Sequence, residues 1–436
     1  MIRFDEKNNQ ITYSHGGYSS QGLEISDTYV VVGGGMRRMR CMLYQPVQQV
    51  EKSRIGVIII HSDDDYSVFN IGPELAKRGY RTLCGQVTDS GATLDAKMQD
   101  IKHAVQLMKA LDGVEKIVLM GHSGGATLMS AYQGAAEKGV GLYQTENRLI
   151  RCSLDEELIS ADAMLILDSN WGNGSMTLFS TDPSIMEEGN GLKIDPELDP
   201  FNPKNGFSPE GCLYSQAFIK RFCAAQRERN NAIVQRALDR LHLIEAGKGN
   251  YNDDEPFIVT AAAQMAPMNK LFPQDARLFH HTKKAYPLIH KDSSITTEIV
   301  HSVRKAHGGR NPSGSVRACV ISTVKSYLTN RAVLAGENYR FYEDGVEGVL
   351  WGDTYNCTPG NVKNISVPML VMGMTGGYEY LAAEAVYQNS GSRDKSIAFV
   401  EGATHNFDCR GREDEFGDTQ KLVFDYADQW LASHVL

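Results

Sequence analysis

From residue 28 to about residue 170, short apolar runs alternate with stretches whose apolar residues recur every three to four positions. Tyr29-Val30-Val31-Val32 and Met39-Arg40-Cys41-Met42-Leu43-Tyr44, separated by Gly33-Gly34-Gly35, read as an antiparallel hairpin. Ile55 to Ile60 is nearly continuous and rich in β-branched residues, the pattern of a central strand covered on both faces. Pro73 to Arg78 opens as a helix and closes at Gly79. Arg81–Gly85, Val114–Met120 and Met164–Leu167 read as further strands. Asp95 to Leu111 carries Met98, Ile101, Val105 and Met108 at helical spacing.

After Asp168 this rhythm stops. Residues 182–209 hold five of the fourteen prolines, so an irregular connection is expected there. From Leu213 to Ala246 one long helix is predicted, with Phe218, Phe222, Ala225, Ile233, Ala237, Leu241 and Ile244 on one stripe and Gly247 as its stop. Residues 250–355 read as helical and loop-rich, with a basic turn from Arg304 to Arg310. The rhythm resumes with a strand at Pro368–Gly373, a helix near Leu381–Tyr387, a strand at Ile397–Val400 and a last helix at Thr419–His434. Alternating strands and helices imply a mostly parallel sheet with helices on both faces. The expected layout is an N-terminal arm (1–27), a core in two parts (28–172 and 362–436), and an insertion between them (173–361).

Composition narrows the function classes. The 436 residues are 42% hydrophobic and 22% charged, enough to bury a large core. The net charge of −9 argues against nucleic acid or an anionic membrane as the main partner. The polar start and the lack of a long apolar run predict a cytoplasmic protein that does not span a membrane. Eight scattered cysteines form no C-x-x-C pair, and His280, His281 and His290 have no metal-ligand spacing, so no metal site is expected. No G-x-G-x-x-G follows the first parallel strand, which removes the main support for a dehydrogenase, and no cofactor is expected.

The chemistry concentrates at Gly121-His122-Ser123-Gly124-Gly125. An apolar strand precedes these residues and an apolar helix follows, so the serine sits at the apex of a sharp strand-to-helix turn. His61 after the third core strand and Gly402-Ala403-Thr404-His405 after the last one complete a pattern that resembles the α/β-hydrolase superfamily. The resemblance covers roughly residues 28–170 and 362–436. It implies an α/β-hydrolase fold, with a mostly parallel central sheet and a large, mainly helical cap in the insertion. It fixes a mechanism class and leaves the substrate open.

On this resemblance Ser123 is the expected nucleophile and His405 its base, since a hydroxyl attacks poorly until a base takes its proton. His122 is expected to point away from the serine and pack on a neighbouring loop. The acid is ambiguous. The family's Asp is missing near Gly376; Glu379 is the nearest carboxylate, and Asp168, at the end of the preceding strand, competes with it. Either would fix the imidazole tautomer and steady its positive charge. The oxyanion hole is expected from the N–H of Gly124 and from the turn His61–Asp65, with Asp63 preferred over Ser62. The three aspartates of that turn are expected to face solvent or cap a helix.

Three readings follow. A serine hydrolase would cleave a carboxylic ester or lactone of a mostly apolar small molecule held under the cap, where Phe218, Phe222, Phe272, Phe279 and Trp351 could line the crevice, although such aromatics are more often plain core. The same groups would serve a thioester, amide or carbon–carbon bond hydrolase. A non-catalytic ligand receptor on the same fold is the third reading. A homodimer stays open.

Overall fold

The computed structural model describes residues 22–35, 37–264, 270–306 and 319–436, together with the backbone of two short strands, Arg3–Asp5 and Gln10–Thr12. Most of the 1–27 arm and the 307–310 part of the basic turn therefore lie outside the described residues.

Ten strands form one sheet. In chain order they are β1 (Ile25–Gly34), β2 (Arg37–Pro46), β3 (Ile55–His61), β4 (Arg81–Gln86), β5 (Lys116–Ser123), β6 (Ala163–Ser169), β7 (His281–Ile289), β8 (Ile295–His301), β9 (Met369–Met374) and β10 (Lys395–Val400). Their spatial order is β8-β7-β10-β9-β6-β5-β3-β4-β2-β1. The run from β7 to β4 is parallel throughout, and β8, β2 and β1 are added antiparallel at the edges.

β3 is buried at every position, as its unbroken apolar run requires. Helices cover both faces. On one lie α1 (Ile71–Lys77) and α8 (Thr419–His434), whose Leu75, Leu422 and Leu431 share a core with Val57 and Met120. On the other lie α2 (Leu94–Ala110), α3 (Gly125–Lys138) and α7 (Tyr380–Asn389), packed on Ile58 and Leu119. Thr93 caps α2 by accepting from the Ala96 N–H.

The insertion begins with α4 (Asn173–Ser180) and carries the predicted long helix, α5 (Gln216–Glu245). Ser215 caps α5 by accepting from Phe218 N–H, and α6 (Val324–Asn330) lies further along. Two expectations are corrected. Residues 250–355 are not simply helices and loops: they supply β7 and β8 to the main sheet and two small antiparallel pairs, Pro256–Val259 with Val320–Thr323 and Ala335–Tyr342 with Gly345–Val349. The reason is local. β7 reads His-Thr-Lys-Lys-Ala-Tyr-Pro-Leu-Ile, and a register shift between His281 and Ala285, two lysines and Pro287 break the alternation that would have announced a strand. The second correction is at the arm, where β1 begins at Ile25, inside the range assigned to it.

Candidate active site

Ser123 ends β5, and α3 starts two residues later at Gly125. Its φ is +52°, a conformation that a side-chain-bearing residue adopts only when its surroundings impose it. What imposes it is contact between strand and helix. A Cβ on Gly121 would lie 2.5 Å from the Cα of Ala126, so the chain can reverse this sharply only with glycine there. Ser123 therefore stands at the N-terminus of α3, where unpaired N–H groups favour negative charge.

Asp168 ends the neighbouring strand β6 and is also strained, with φ +41°. It is fully buried. One oxygen accepts from the N–H of Met374 at 2.9 Å and the other lies 2.7 Å from His405 Nδ1. Glu379, just before α7, brings its Oε2 to 2.8 Å from the same nitrogen. The two acids that sequence left as alternatives are thus both delivered to one imidazole.

His405 lies in the turn after β10. Gly402, at φ +76°, makes that turn possible: a Cβ would fall 2.0 Å from the Phe416 ring. The His405 carbonyl accepts from His122 Nε2 at 2.7 Å. A carbonyl can only accept, so His122 carries its proton on Nε2. Its Nδ1 must then accept from the Tyr66 hydroxyl, 2.6 Å away. His122 thus packs on a neighbouring loop, as expected, and that loop is the one that carries His405.

Around His405 the loss of water disfavours the charged ring. The Glu379 and Asp168 carboxylates outweigh this and push its pKa up to about 10. Burial raises Asp168 above the usual carboxylate range. Glu379 is held below that range despite burial, by His405 and then by Lys270. Among the described residues, Asp168, Glu379 and His405 also form a set of three metal-capable atoms within 4.8 Å. Separations of 2.7 and 2.8 Å between nitrogen and oxygen are hydrogen-bond distances, so this set is read as sharing a proton.

The turn after β3 departs from expectation. The Asp63 N–H does not stand free for an oxyanion; it points 3.0 Å from Nδ1 of its own His61, as does that of Asp64. The Asp63 side chain is only partly open to solvent, at 29% exposed. Its carboxylate meets Lys97 Nζ at 3.2 Å and Arg331 at 3.9 Å. Burial would raise this carboxyl, but Lys97 and Arg331 outweigh it and hold it at about 2. Asp64 and Asp65 remain exposed and accept from nearby backbone N–H groups. Ser62 is the residue that stands against Gly124: a Cβ on Gly124 would lie 3.0 Å from its Oγ and 2.8 Å from Asn173 Oδ1.

Ser123, Gly124, His405, His61 and Asp63 line one cavity of about 880 Å³. Its other walls are mixed, with Asp64, Asp65, Arg331 and Arg410 beside Val68, Phe69, Val320 and Ile321. The aromatic residues weighed as lining or core are absent from its walls. Phe218, Phe222, Phe272 and Phe279 are buried in the core, where Phe272 and Phe279 stack 4.4 Å apart, and Trp351 donates to Ser175. Sequence reasoning missed Asn173, Tyr66, Lys97, Arg331 and Lys270. Lys97 alone had a signal: it falls three after Leu94 and four before Ile101, a charge on the apolar stripe of α2.

The decisive combination is a strained serine between a parallel strand and a helix, with acid and histidine following in chain order from successive strand ends. The chain has the α/β-hydrolase fold. No family model and no curated protein matches the sequence. Among solved structures, a hypothetical protein of Pseudomonas aeruginosa is 12% identical over 98% of this chain and 100% of its own, with a TM-score of 0.46. Est1E from Butyrivibrio proteoclasticus is 13% identical over 93% of this chain and 98% of its own, at 0.41. A proline iminopeptidase of Mycobacterium smegmatis is 11% identical over 93% and 98%, at 0.39. Likenesses this distant add nothing to the topology, on which the α/β-hydrolase fold rests. Among the described residues, no helix is long and apolar enough to cross a membrane.

Proposed function

We propose that this protein is a serine hydrolase that cleaves a carboxylic ester of a small molecule through an acyl-enzyme on Ser123. One observation carries the reading: His405, fixed at Nδ1 by a buried carboxylate, shares a cavity with a serine held at φ +52°. In the neutral ring, with Nδ1–H donated to Asp168, the lone pair is left on Nε2, which serves as the base. Nε2 takes the Ser123 proton as Oγ attacks the substrate carbonyl. The resulting oxyanion is met by the N–H of Gly124 at the start of α3, a donor typically worth about 2.7–4 kcal/mol of barrier. The proton returns to the leaving alkoxide, and water, deprotonated by the same nitrogen, releases the acid.

The cavity walls favour a substrate that carries polar groups as well as apolar ones, since Asp64, Asp65, Arg331 and Arg410 face it. Labelling with a fluorophosphonate tests the mechanism: the folded protein takes up one equivalent and Ser123→Ala takes up none. Absence of labelling in the folded wild type, or equal labelling in the variant, overturns it. A panel of esters, lactones, thioesters and amides, with Ser123→Ala as the blank, then ranks the bond cleaved.

A further inference from the structure

We propose that Glu379 is a second working partner of His405, supplying negative charge while Asp168 aims the ring. This rests on the serine-hydrolase reading above.

The geometry comes first. One imidazole N–H has one proton, yet two carboxylate oxygens lie 2.7 and 2.8 Å from it. Both acids are buried, so neither charge is screened by water. Asp168 is pinned by the Met374 N–H and makes the aligned hydrogen bond to His405. Glu379 sits at the N-terminal end of α7, where the helix dipole favours an anion. Lys270 is completely buried, and its Nζ donates to the carbonyl of Gln264, a residue of the cavity wall, at 2.5 Å.

Charge then orders the three groups. Two carboxylates on one imidazole carry a net charge of −1 when the ring is protonated and −2 when it is not, so the resting protein keeps His405 charged. The titration tendencies agree: both carboxylates push the ring up, and the ring in turn helps hold Glu379 low. Of the other groups facing this cluster, His61 and His122 are pushed down by burial, and Tyr66 and Tyr378 are pushed up by it. Lys270, lowered by burial to about 8, and Arg304, lowered by burial to about 10, are the nearby cations.

If Glu379 supplies charge and a second acceptor, Asp168→Asn does not abolish the correct tautomer. Its turnover falls by less than about 100-fold, whereas a triad with one carboxylate loses about 10⁴-fold on the same change. The double variant Asp168→Asn/Glu379→Gln restores the full loss. Imidazole ¹⁵N NMR of the full-length protein reads His405 without needing turnover. Glu379→Gln lowers its midpoint by about 1–3 pH units. Glu379→Asp, which keeps the charge, keeps the raised midpoint. A Glu379 that merely fills space would lower the melting temperature and leave the midpoint in place. An unmoved His405 midpoint, or a 10⁴-fold loss in Asp168→Asn with Glu379 intact, overturns the proposal. Failure of fluorophosphonate labelling would instead remove the hydrolase reading, whatever the NMR shows.

Discussion

The elbow at 121–125 and the turn at 61–65 follow two hydrogen-bonded parallel strands, and each reaches the same cavity, yet they are held in opposite ways. The elbow is fixed by short-range sterics: Gly121 against Ala126, with no charge among its five residues, since burial pushes the His122 pKa down. The turn is fixed by long-range charge. Asp63 is clamped by Lys97 from α2 and Arg331 from the end of α6, and Lys97 is anchored further by Asn330 at 3.1 Å. The elbow is therefore complete within one strand-to-helix step. The turn needs the insertion in place before its carboxylate is satisfied. The serine's strained apex is built locally; the wall around it is not.

Removing the elbow's chemistry gives the largest effect. Ser123→Ala lowers ester turnover on the order of 10⁶-fold with little change in melting temperature; His405→Ala loses turnover to a similar degree but also lowers the melting temperature, since it leaves two buried carboxylates unpaired. Equal turnover in either variant would break the assignment. Next comes pH. The base must be neutral to accept a proton, and His405 lies near 10 against an ordinary value of 6.5. Labelling of Ser123 should therefore rise about tenfold per pH unit from pH 7 towards 10. The stability sign is opposite. The charged ring contributes stability that is fully present below pH 6.5 and lost as pH rises through about 10, so melting temperature falls where labelling climbs.

The turn is probed by Asp63→Asn. It leaves Lys97, which is 1% exposed, without its anion and costs about 3–5 kcal/mol in denaturant melts. The double change Asp63→Leu/Lys97→Met should recover most of that loss, because two apolar groups leave no buried charge. Gly121→Ala tests the steric side and costs about 1–3 kcal/mol of overpacking, independent of salt and pH. A loss for Gly121→Ala that varied with pH, or one for Asp63→Asn that did not, would erase the distinction. The smallest effect is expected for Tyr66→Phe, which removes the donor to His122 Nδ1 and costs about 0.5–1.5 kcal/mol.

Legibility in the sequence divides along the same line. The strands from Ile55 to Ser169 and the last helix were readable because each buries its own periodic pattern. Ser123 and His405 were readable because glycines mark their turns. The placement of β7 and β8 was not, since β7 joins the sheet through distant β10, β8 follows by pairing with β7, and the alternation of β7 is broken. The aromatic residues of the insertion could have lined a pocket or formed core; in the folded chain they satisfy one another across the core.

Sequence by itself determined the parallel sheet, the serine's strained apex and the histidine that follows the last core strand, because these depend on periodicity and on where a Cβ cannot fit. Tertiary structure alone decided that Asp168 and Glu379 meet on one nitrogen, that Asp63 turns inward to Lys97, and that the cavity wall is mixed rather than aromatic. Those outcomes depend on which charges are brought together out of water. Coulomb energy there is set by distances between segments far apart in the chain, which no local pattern encodes.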